Sequence, residues 1–169
     1  MGSSADVFAL FAASRTSGPV VWIADQANNA SFSPTGAQSI IDPTRIISVA
    51  CVSRAESLWA TEQALRMGGI GAVVVELWDG PSLKESRRLQ LAAEEGGVLG
   101  IILVAGRAQT SATQTRWFCK ASSKRDAKWV WEMIKNKNGL GGVWRVDVAD
   151  HDELKYASDL VLMAATTTA

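Results

Sequence analysis

The chain has 169 residues, of which 47% are hydrophobic and 20% are charged, a composition typical of a soluble globular protein with one sizeable core. No apolar run reaches the ~18 residues that a membrane helix needs, so we exclude a membrane-spanning protein and expect a cytoplasmic one. A single histidine, His151, excludes a His-rich zinc site, and most Cys–His and Ser–His catalytic pairs would depend on that one residue.

The first part of the chain alternates helices with apolar strands. DVFALFAASR predicts a helix, PVVWIAD a buried strand, and SPTGAQSII a short helix with Ser33 as its N-cap and Pro34 at its first position. The strand RIISVAC follows, and the next helix opens with a capping box formed by Ser53 and Glu56.

The same scheme repeats with the strand AVVVELW, a helix capped by Ser82 and Glu85, and the strand VLGIILVAG. Strands that are apolar on both faces and separated by helices predict an α/β fold, with a mostly parallel sheet flanked by helices.

After Gly106 the pattern changes. TRWFCKAS predicts an alternating strand, KRDAKWVWEMIKNKN a basic helix or turn, and VWRVDVA a last strand. Two strands joined without a long apolar helix predict an antiparallel C-terminal edge of the sheet. We expect one domain over residues 5–150 and an acidic, flexible tail over residues 151–169.

Charge is concentrated in the same part of the chain. Between Val104 and Val146, nine cations stand against Asp126 and Glu132, although the net charge of the whole chain is zero. The segment TRWFCKASSKRDAKWVW interleaves cations with aromatic residues, which suits single-stranded nucleic acid or an acidic partner. The alternative, which we favour, is an aromatic face turned to the core and a solvated basic face. The candidate binding residues are Arg116, Lys120, Lys124, Arg125 and Lys128.

Seven tryptophans are more than a core of this size needs. Trp59, Trp78 and Trp144 are candidates for partial exposure in a surface that a protein partner contacts. Packing against the sheet is the safer expectation for Trp22 and Trp59. Cys51 and Cys119 lie in apolar runs without metal-ligand spacing, so we expect inert core cysteines and no metal site.

The chain contains no GxxxxGK[ST] phosphate loop, and its elements resemble a RecA-like ATPase core that starts from the helix after that loop. A doubly wound sheet usually begins with a strand, whereas this chain opens with MGSS and enters a helix. We therefore expect an N-terminally truncated sequence. More closely, the chain resembles the ImuA family of bacterial mutagenesis accessory proteins, SulA-like RecA relatives. The resemblance is carried by GPVVWIAD, IDPTRIISV, RAESLWATEQALRMGGIGAVVVEL, RRLQLAAEEGGVLGIIL, TRWFCKAS and GGVWRVDV.

The RecA-type pattern, laid over these residues, implies a degenerate nucleotide site. Gln26 occupies the position of a catalytic glutamate, and a carboxamide cannot act as a general base. Glu76 stands where a Mg²⁺-binding aspartate is expected, so we expect it to cap or pair rather than catalyse. Ala105 and Gly106 replace a γ-phosphate-sensing amide, and WDGP and RAQTSATQ are short where DNA-binding loops are expected.

The resemblance implies a non-catalytic accessory protein for damage-induced mutagenesis and translesion DNA synthesis, without a cofactor. Its implied partners are an ImuB-like inactive Y-family polymerase relative and an error-prone polymerase alpha subunit, with RecA and single-stranded DNA as further candidates. Two alternatives stay open. One is a RecA-type, DNA-dependent ATPase whose phosphate loop lies upstream of residue 1, and the other is a SulA-like inhibitor of cell division.

Overall fold

The computed structural model describes residues 4–25, 34–107, 109–123 and 128–146, and the predicted tail lies outside this part. The chain divides into two compact units: unit 1 contains residues 9–113, and unit 2 contains residues 4–8 together with the described residues from 114 to 146. Among the described residues, we find no helix that could span a membrane. The elements are α1 Ser4–Ser14, β1 Val20–Asp25, α2 Pro34–Ala37, β2 Ile46–Cys51, α3 Arg54–Arg66, β3 Ala72–Leu77, α4 Leu83–Gly96, β4 Leu99–Val104, β5 Thr115–Ala121, β6 Trp129–Asn136 and β7 Gly142–Val146.

Unit 1 contains a four-stranded sheet in the order β2–β1–β3–β4, in which every neighbouring pair is parallel. All six residues of β3 are buried, as expected for a central strand of a parallel sheet, whose two faces are both covered. The predicted α/β fold with a mostly parallel sheet is therefore confirmed. Glu76 is the one charged residue in this strand.

One face of the parallel sheet packs against α3 and α4. Val73 and Val75 alternate onto this face and share a hydrophobic cluster with Leu65 of α3 and Leu89 of α4. Full burial of such an aliphatic side chain stabilises the fold by about 1.5–3 kcal/mol. This cluster fixes the strands whose carboxyl ends carry the loops described below.

Both predicted helix starts are present, with one difference. In α4 the capping box is complete, because Ser82 Oγ accepts from the Glu85 N–H and a Glu85 carboxylate oxygen accepts from the Ser82 N–H. In α3, Ser53 Oγ accepts from the Glu56 N–H at 3.2 Å. The Glu56 carboxylate, however, accepts from the N–H of Val52 at 2.8 Å, one residue before the cap. Both helix starts therefore use local polar contacts that the sequence spacing encodes.

Charged side chains connect α3 to α4 on their outer surfaces. Burial alone would raise the pKa of Glu62, but hydrogen bonds from Arg66 and Arg88 outweigh it and lower that pKa. The two helices are thus held together by ion pairs as well as by their apolar faces. The pairs between the helices are Arg54–Glu85, Glu62–Arg88 and Arg66–Glu95.

Unit 2 contains a three-stranded antiparallel sheet in the order β5–β6–β7. The predicted antiparallel arrangement of the C-terminal strands is confirmed, but their predicted place at the edge of the parallel sheet is wrong. β5 and β7 pair with β6, which the prediction did not include as a strand, and the three form a separate sheet. The prediction of a basic helix or turn over KRDAKWVWEMIKNKN is wrong for residues 129–136, which form β6. The physical reason is pairing: β6 bonds to a strand on each side, and its side chains alternate between the two faces of the sheet.

Candidate functional site

The carboxyl end of the parallel sheet carries the positions where a nucleotide site was implied. Asp25 ends β1, and Glu76 is the last residue but one of the neighbouring strand β3. Gln26, the predicted replacement of a catalytic glutamate, lies outside the described residues, and its role stays a prediction.

Glu76 is only 4% exposed and pairs with a tryptophan. The indole Nε1 of Trp22 donates to Glu76 Oε1 at 2.6 Å, and Trp22 is itself fully buried. Trp22 lies opposite Val74 in the strand register, so alternation places Glu76 on the same side of the sheet. The pairing that we expected for this acid is present. The other oxygen, Oε2, is buried and accepts no hydrogen bond from the residues that the structure describes.

This environment differs from that of an open magnesium ligand. Mg²⁺ keeps several water molecules and needs near-octahedral geometry, which requires room around the carboxylate. Glu76 has an indole on one oxygen and almost no solvent access. Within the described ranges, no group of three His, Cys, Asp or Glu side chains is arranged to hold a metal ion.

The loops after β3 and β4 are hydrogen-bonded to each other. The N–H of Gly106 donates to Trp78 O at 2.6 Å, the N–H of Arg107 donates to Asp79 Oδ1 at 3.1 Å, and the N–H of Gly80 donates to Arg107 O at 3.0 Å. A Cβ at position 106 would lie 2.9 Å from Trp78 O, so glycine permits this approach. The two short loops therefore form one braced structure.

The tryptophans differ widely in exposure. Trp22 is buried, which confirms its predicted packing against the sheet, whereas Trp59 is 62% exposed and the same prediction is wrong for it. Its position on the outer side of α3 explains the difference, because the sheet-facing side of that helix is filled by Leu65 and its neighbours. Trp78 is 70% exposed on the braced loops, and Trp144 is half-buried. Unit 1 thus presents two large exposed aromatic side chains.

In unit 2 the sheet separates aromatic residues by face. Trp117 alternates onto the same face as Trp131 and Trp144. Phe8 of α1 packs against Trp117 at 4.9 Å and edge-on against Trp131 at 5.1 Å between ring centroids, and Trp117 lies 4.9 Å from Trp144. Trp131 Nε1 donates to Ser4 Oγ at 3.2 Å. The favoured interpretation, an aromatic face turned to a core, is confirmed for Trp117 and Trp131, and it is wrong for Phe118, which is 52% exposed.

The opposite face of this sheet carries cations and one exposed aromatic ring. Arg116, Phe118 and Lys120 alternate onto one side of β5, and Lys120 Nζ lies 6.0 Å from the centroid of the Phe118 ring. Across the sheet, Lys120 is in register with Val130 and then with Arg145. Arg145 was counted among the cations but was not a candidate site residue. Arg145 lies in register with Lys120 because β5, β6 and β7 pair side by side, which the sequence alone does not show.

The other predicted cations are placed as follows. Lys128 is exposed just before β6, and its N–H donates to Val146 O at 3.0 Å. Lys124 and Arg125 lie outside the described residues. Burial, reinforced by the positive charges of Lys137 and Arg116, lowers the pKa of Lys135. Arg116 and Lys135 are also in register, so these two cations lie at the same end of the sheet.

The two cysteines were predicted to be inert core residues; Cys51 is buried and Cys119 is half-buried. Burial raises the pKa of Cys51, and it raises the pKa of Cys119 to about 12. The thiolate is the nucleophile and metal ligand, and at neutral pH these thiols stay protonated.

Comparison with known proteins identifies a relative. Over 89 residues the chain is 38% identical to protein ImuA from two strains of Caulobacter vibrioides, a match that covers 53% of this chain and 35% of ImuA. The chain therefore spans about a third of the length of the curated relatives that it matches. The crystal structure of SulA from Pseudomonas aeruginosa matches with a TM-score of 0.48 and 19% identity, over 62% of this chain and 83% of SulA. No protein-family model matches. The chain is thus a homologue of ImuA over about half of its length, which confirms the resemblance that its sequence segments indicate.

Proposed function

We propose that this chain is a RecA-like, non-catalytic part of an accessory protein for damage-induced mutagenesis, acting in translesion DNA synthesis. The observation that carries the proposal is the state of Glu76, which is buried and bonded to the Trp22 indole where a metal-binding acid would need an open side. The identity with ImuA supplies the biological setting.

The proposed mechanism is docking of partner proteins. Tryptophan is enriched among residues that dominate the energy of protein interfaces, and a rigid support lowers the entropy lost on binding. Trp78 fits both conditions, because its side chain is exposed and its loop is braced by the loop after β4. The proposed partners are an ImuB-like inactive polymerase relative and an error-prone polymerase alpha subunit, with RecA as a third.

The test combines partner retention with a genetic readout. We expect Trp78→Ala to weaken retention of the ImuB-like partner at least about tenfold, as for an interface hot spot, and to lower the frequency of damage-induced mutations. Leu83→Ala is the matched control, because Leu83 is an exposed apolar residue of α4 in the same unit. Damage-induced mutagenesis that does not depend on the gene would refute the proposed function itself.

A second candidate, a RecA-type ATPase, is favoured by one observation. Glu76 Oε2 is buried without a hydrogen-bond donor from the described residues, and a buried carboxylate oxygen normally has a partner. ATP turnover that is lost in Glu76→Gln would establish this alternative and exclude the non-catalytic one. Gln retains the acceptor for Trp22 while removing the charge that a metal needs.

A further inference from the structure

The face of the unit 2 sheet opposite the tryptophan cluster is open and mixed in character. We call this surface the outer sheet face and define it by Phe118, Lys120, Glu132, Val143 and Arg145, which the register places on one side. Phe118 is 52% exposed and Val143 is 37% exposed. An aromatic ring left half open on a sheet is available to stack against a planar group.

The cations of the outer sheet face favour an anionic ligand. On this face Lys120 and Arg145 stand against one carboxylate, Glu132. A cationic side chain attracts a ligand group of the opposite sign.

We propose that the outer sheet face binds single-stranded nucleic acid, with one base stacked on Phe118 and the backbone phosphates contacted by Lys120 and Arg145. Neighbouring strands are about 4.8 Å apart, so Lys120 and Arg145, two strands from each other, are separated by about 10 Å at their backbones. A backbone that crosses the sheet can contact both. This inference deepens the proposed function and rests on it for its biological setting.

The exposed ring favours nucleic acid over an acidic protein. Cations alone are enough to bind an acidic protein surface. Single-stranded nucleic acid also has bases, which stack on aromatic side chains. Phe118 lies two residues from Lys120 on the same side of β5, with the ammonium group near its ring. Base stacking and phosphate contact can therefore occur side by side.

The first experiment measures the electrostatic part. Binding of a fluorescent oligodeoxythymidine to the whole chain is followed by anisotropy over a series of salt concentrations. We expect Lys120→Ala with Arg145→Ala to reduce the slope of log affinity against log salt by about 1.4, about 0.7 for each lost phosphate contact. Lys84→Ala, at an exposed position on α4 in unit 1, is the matched control and should leave the slope unchanged.

The second experiment isolates stacking. We expect Phe118→Leu to weaken binding about 5- to 150-fold, the range for one lost base–aromatic stack, while Phe118→Trp retains it. Leucine keeps an apolar side chain at this exposed site without a ring, so the pair of variants separates stacking from burial. We also expect Glu132→Gln to strengthen binding, because it removes a carboxylate opposite Phe118 in the register.

Three results would overturn the inference: no binding of the oligonucleotide at 50 mM salt, equal binding by Phe118→Leu and wild type, or a salt slope unchanged in the Lys120/Arg145 variant. Binding of polyglutamate that matches oligonucleotide binding and ignores Phe118 would identify an acidic-protein site instead, which also overturns it. Loss of oligonucleotide binding without loss of damage-induced mutagenesis would refute this inference and leave the proposed function standing.

Discussion

The two units use their side chains in opposite ways. In unit 1 both faces of the central strand β3 are buried, and charged side chains of α3 and α4 pair with each other. In unit 2 one face of the sheet is filled by tryptophans, and the other carries cations and an exposed phenylalanine. A parallel sheet covered on both faces offers ligands only its strand ends and loops, whereas an antiparallel sheet can offer a whole face.

The difference also separates the two kinds of binding that we propose. The exposed aromatic residues of unit 1 sit on a helix and on braced loops, which suits contact with a protein. In unit 2 the exposed aromatic residue Phe118 lies beside Lys120 on the outer sheet face. The predictions that follow test whether charge pairs and buried aromatic residues contribute more to the stability of unit 1 than the same residue types do in unit 2.

The largest effect is expected at Trp22. Trp22→Ala removes a fully buried ring and leaves Glu76 without its indole donor, so we expect a loss of about 3–5 kcal/mol in the free energy of unfolding. Urea unfolding followed by far-UV circular dichroism measures this loss. Trp59→Ala is the control, because a residue that is 62% exposed should change stability by no more than about 0.5 kcal/mol. Equal effects at the two sites would contradict the burial contrast.

The next effect is expected where α4 ends against α3. A Cβ at Gly96 would lie 2.0 Å from Leu65 O, which is backbone and cannot move aside, so Gly96→Ala should cost about 1–3 kcal/mol. Helix propensity alone predicts the opposite sign. Gly68→Ala is a matched control, because no atom lies within 4 Å of its added Cβ and its φ is not positive. Thermal unfolding of both variants checks the pair.

Two contacts of unit 1, the capping box at the start of α4 and the bond from Trp22 to Glu76, show which features could be predicted from the sequence. The capping box of Ser82 and Glu85 lies within four residues, so spacing alone predicts it, and continuous apolar strands predict the parallel sheet. The bond from Trp22 to Glu76 joins residues 54 positions apart, and no local pattern contains it. The sequence could predict that this acid pairs but could not identify its partner.

Unit 2 was harder to predict because strand and helix patterns overlap in it. The segment WVWEMIKN alternates weakly, and its many lysines favour a solvated helix or turn as readily as a strand. Its true structure depends on pairing with β5 and β7, which lie elsewhere in the sequence. Because side chains alternate along β5, the cations and aromatic residues of TRWFCK lie on different faces of the sheet. Trp117 faces the core, and Phe118 faces outward beside Lys120.

A smaller effect is expected at the start of α4. A hydrogen bond from Arg54, together with the contacts to Ser82, holds the pKa of Glu85 at about 2, below its ordinary value of 4.5. Because the folded pKa is lowered, the ionised group stabilises the fold above about pH 4.5, and this contribution is lost as the pH falls through about 2. Glu85→Gln should therefore cost about 1 kcal/mol at pH 7. Urea titrations between pH 7 and 2 should show the two proteins converging, and a constant difference would contradict the role of the charge.

The smallest effect concerns the sign of charge removal in the two units. Arg66→Gln breaks ion pairs with Glu62 and Glu95 in unit 1 and should destabilise by about 0.2–1 kcal/mol, since the pairs are partly exposed.

Lys137→Gln is the matched variant in unit 2. Burial is the largest cause of the lowered pKa of Lys135, and the charge of Lys137 is the second, which this variant removes. We expect it to stabilise by about 0.2–1 kcal/mol at neutral pH, because like charges close together destabilise a sheet. Urea unfolding in low salt should show these opposite signs, and 1 M salt should weaken both effects because it shortens the Debye length to about 3 Å. If both variants lost the same free energy of unfolding in low salt, the cations of unit 2 would stabilise the fold as those of unit 1 do. That result would contradict the proposed difference between the two units.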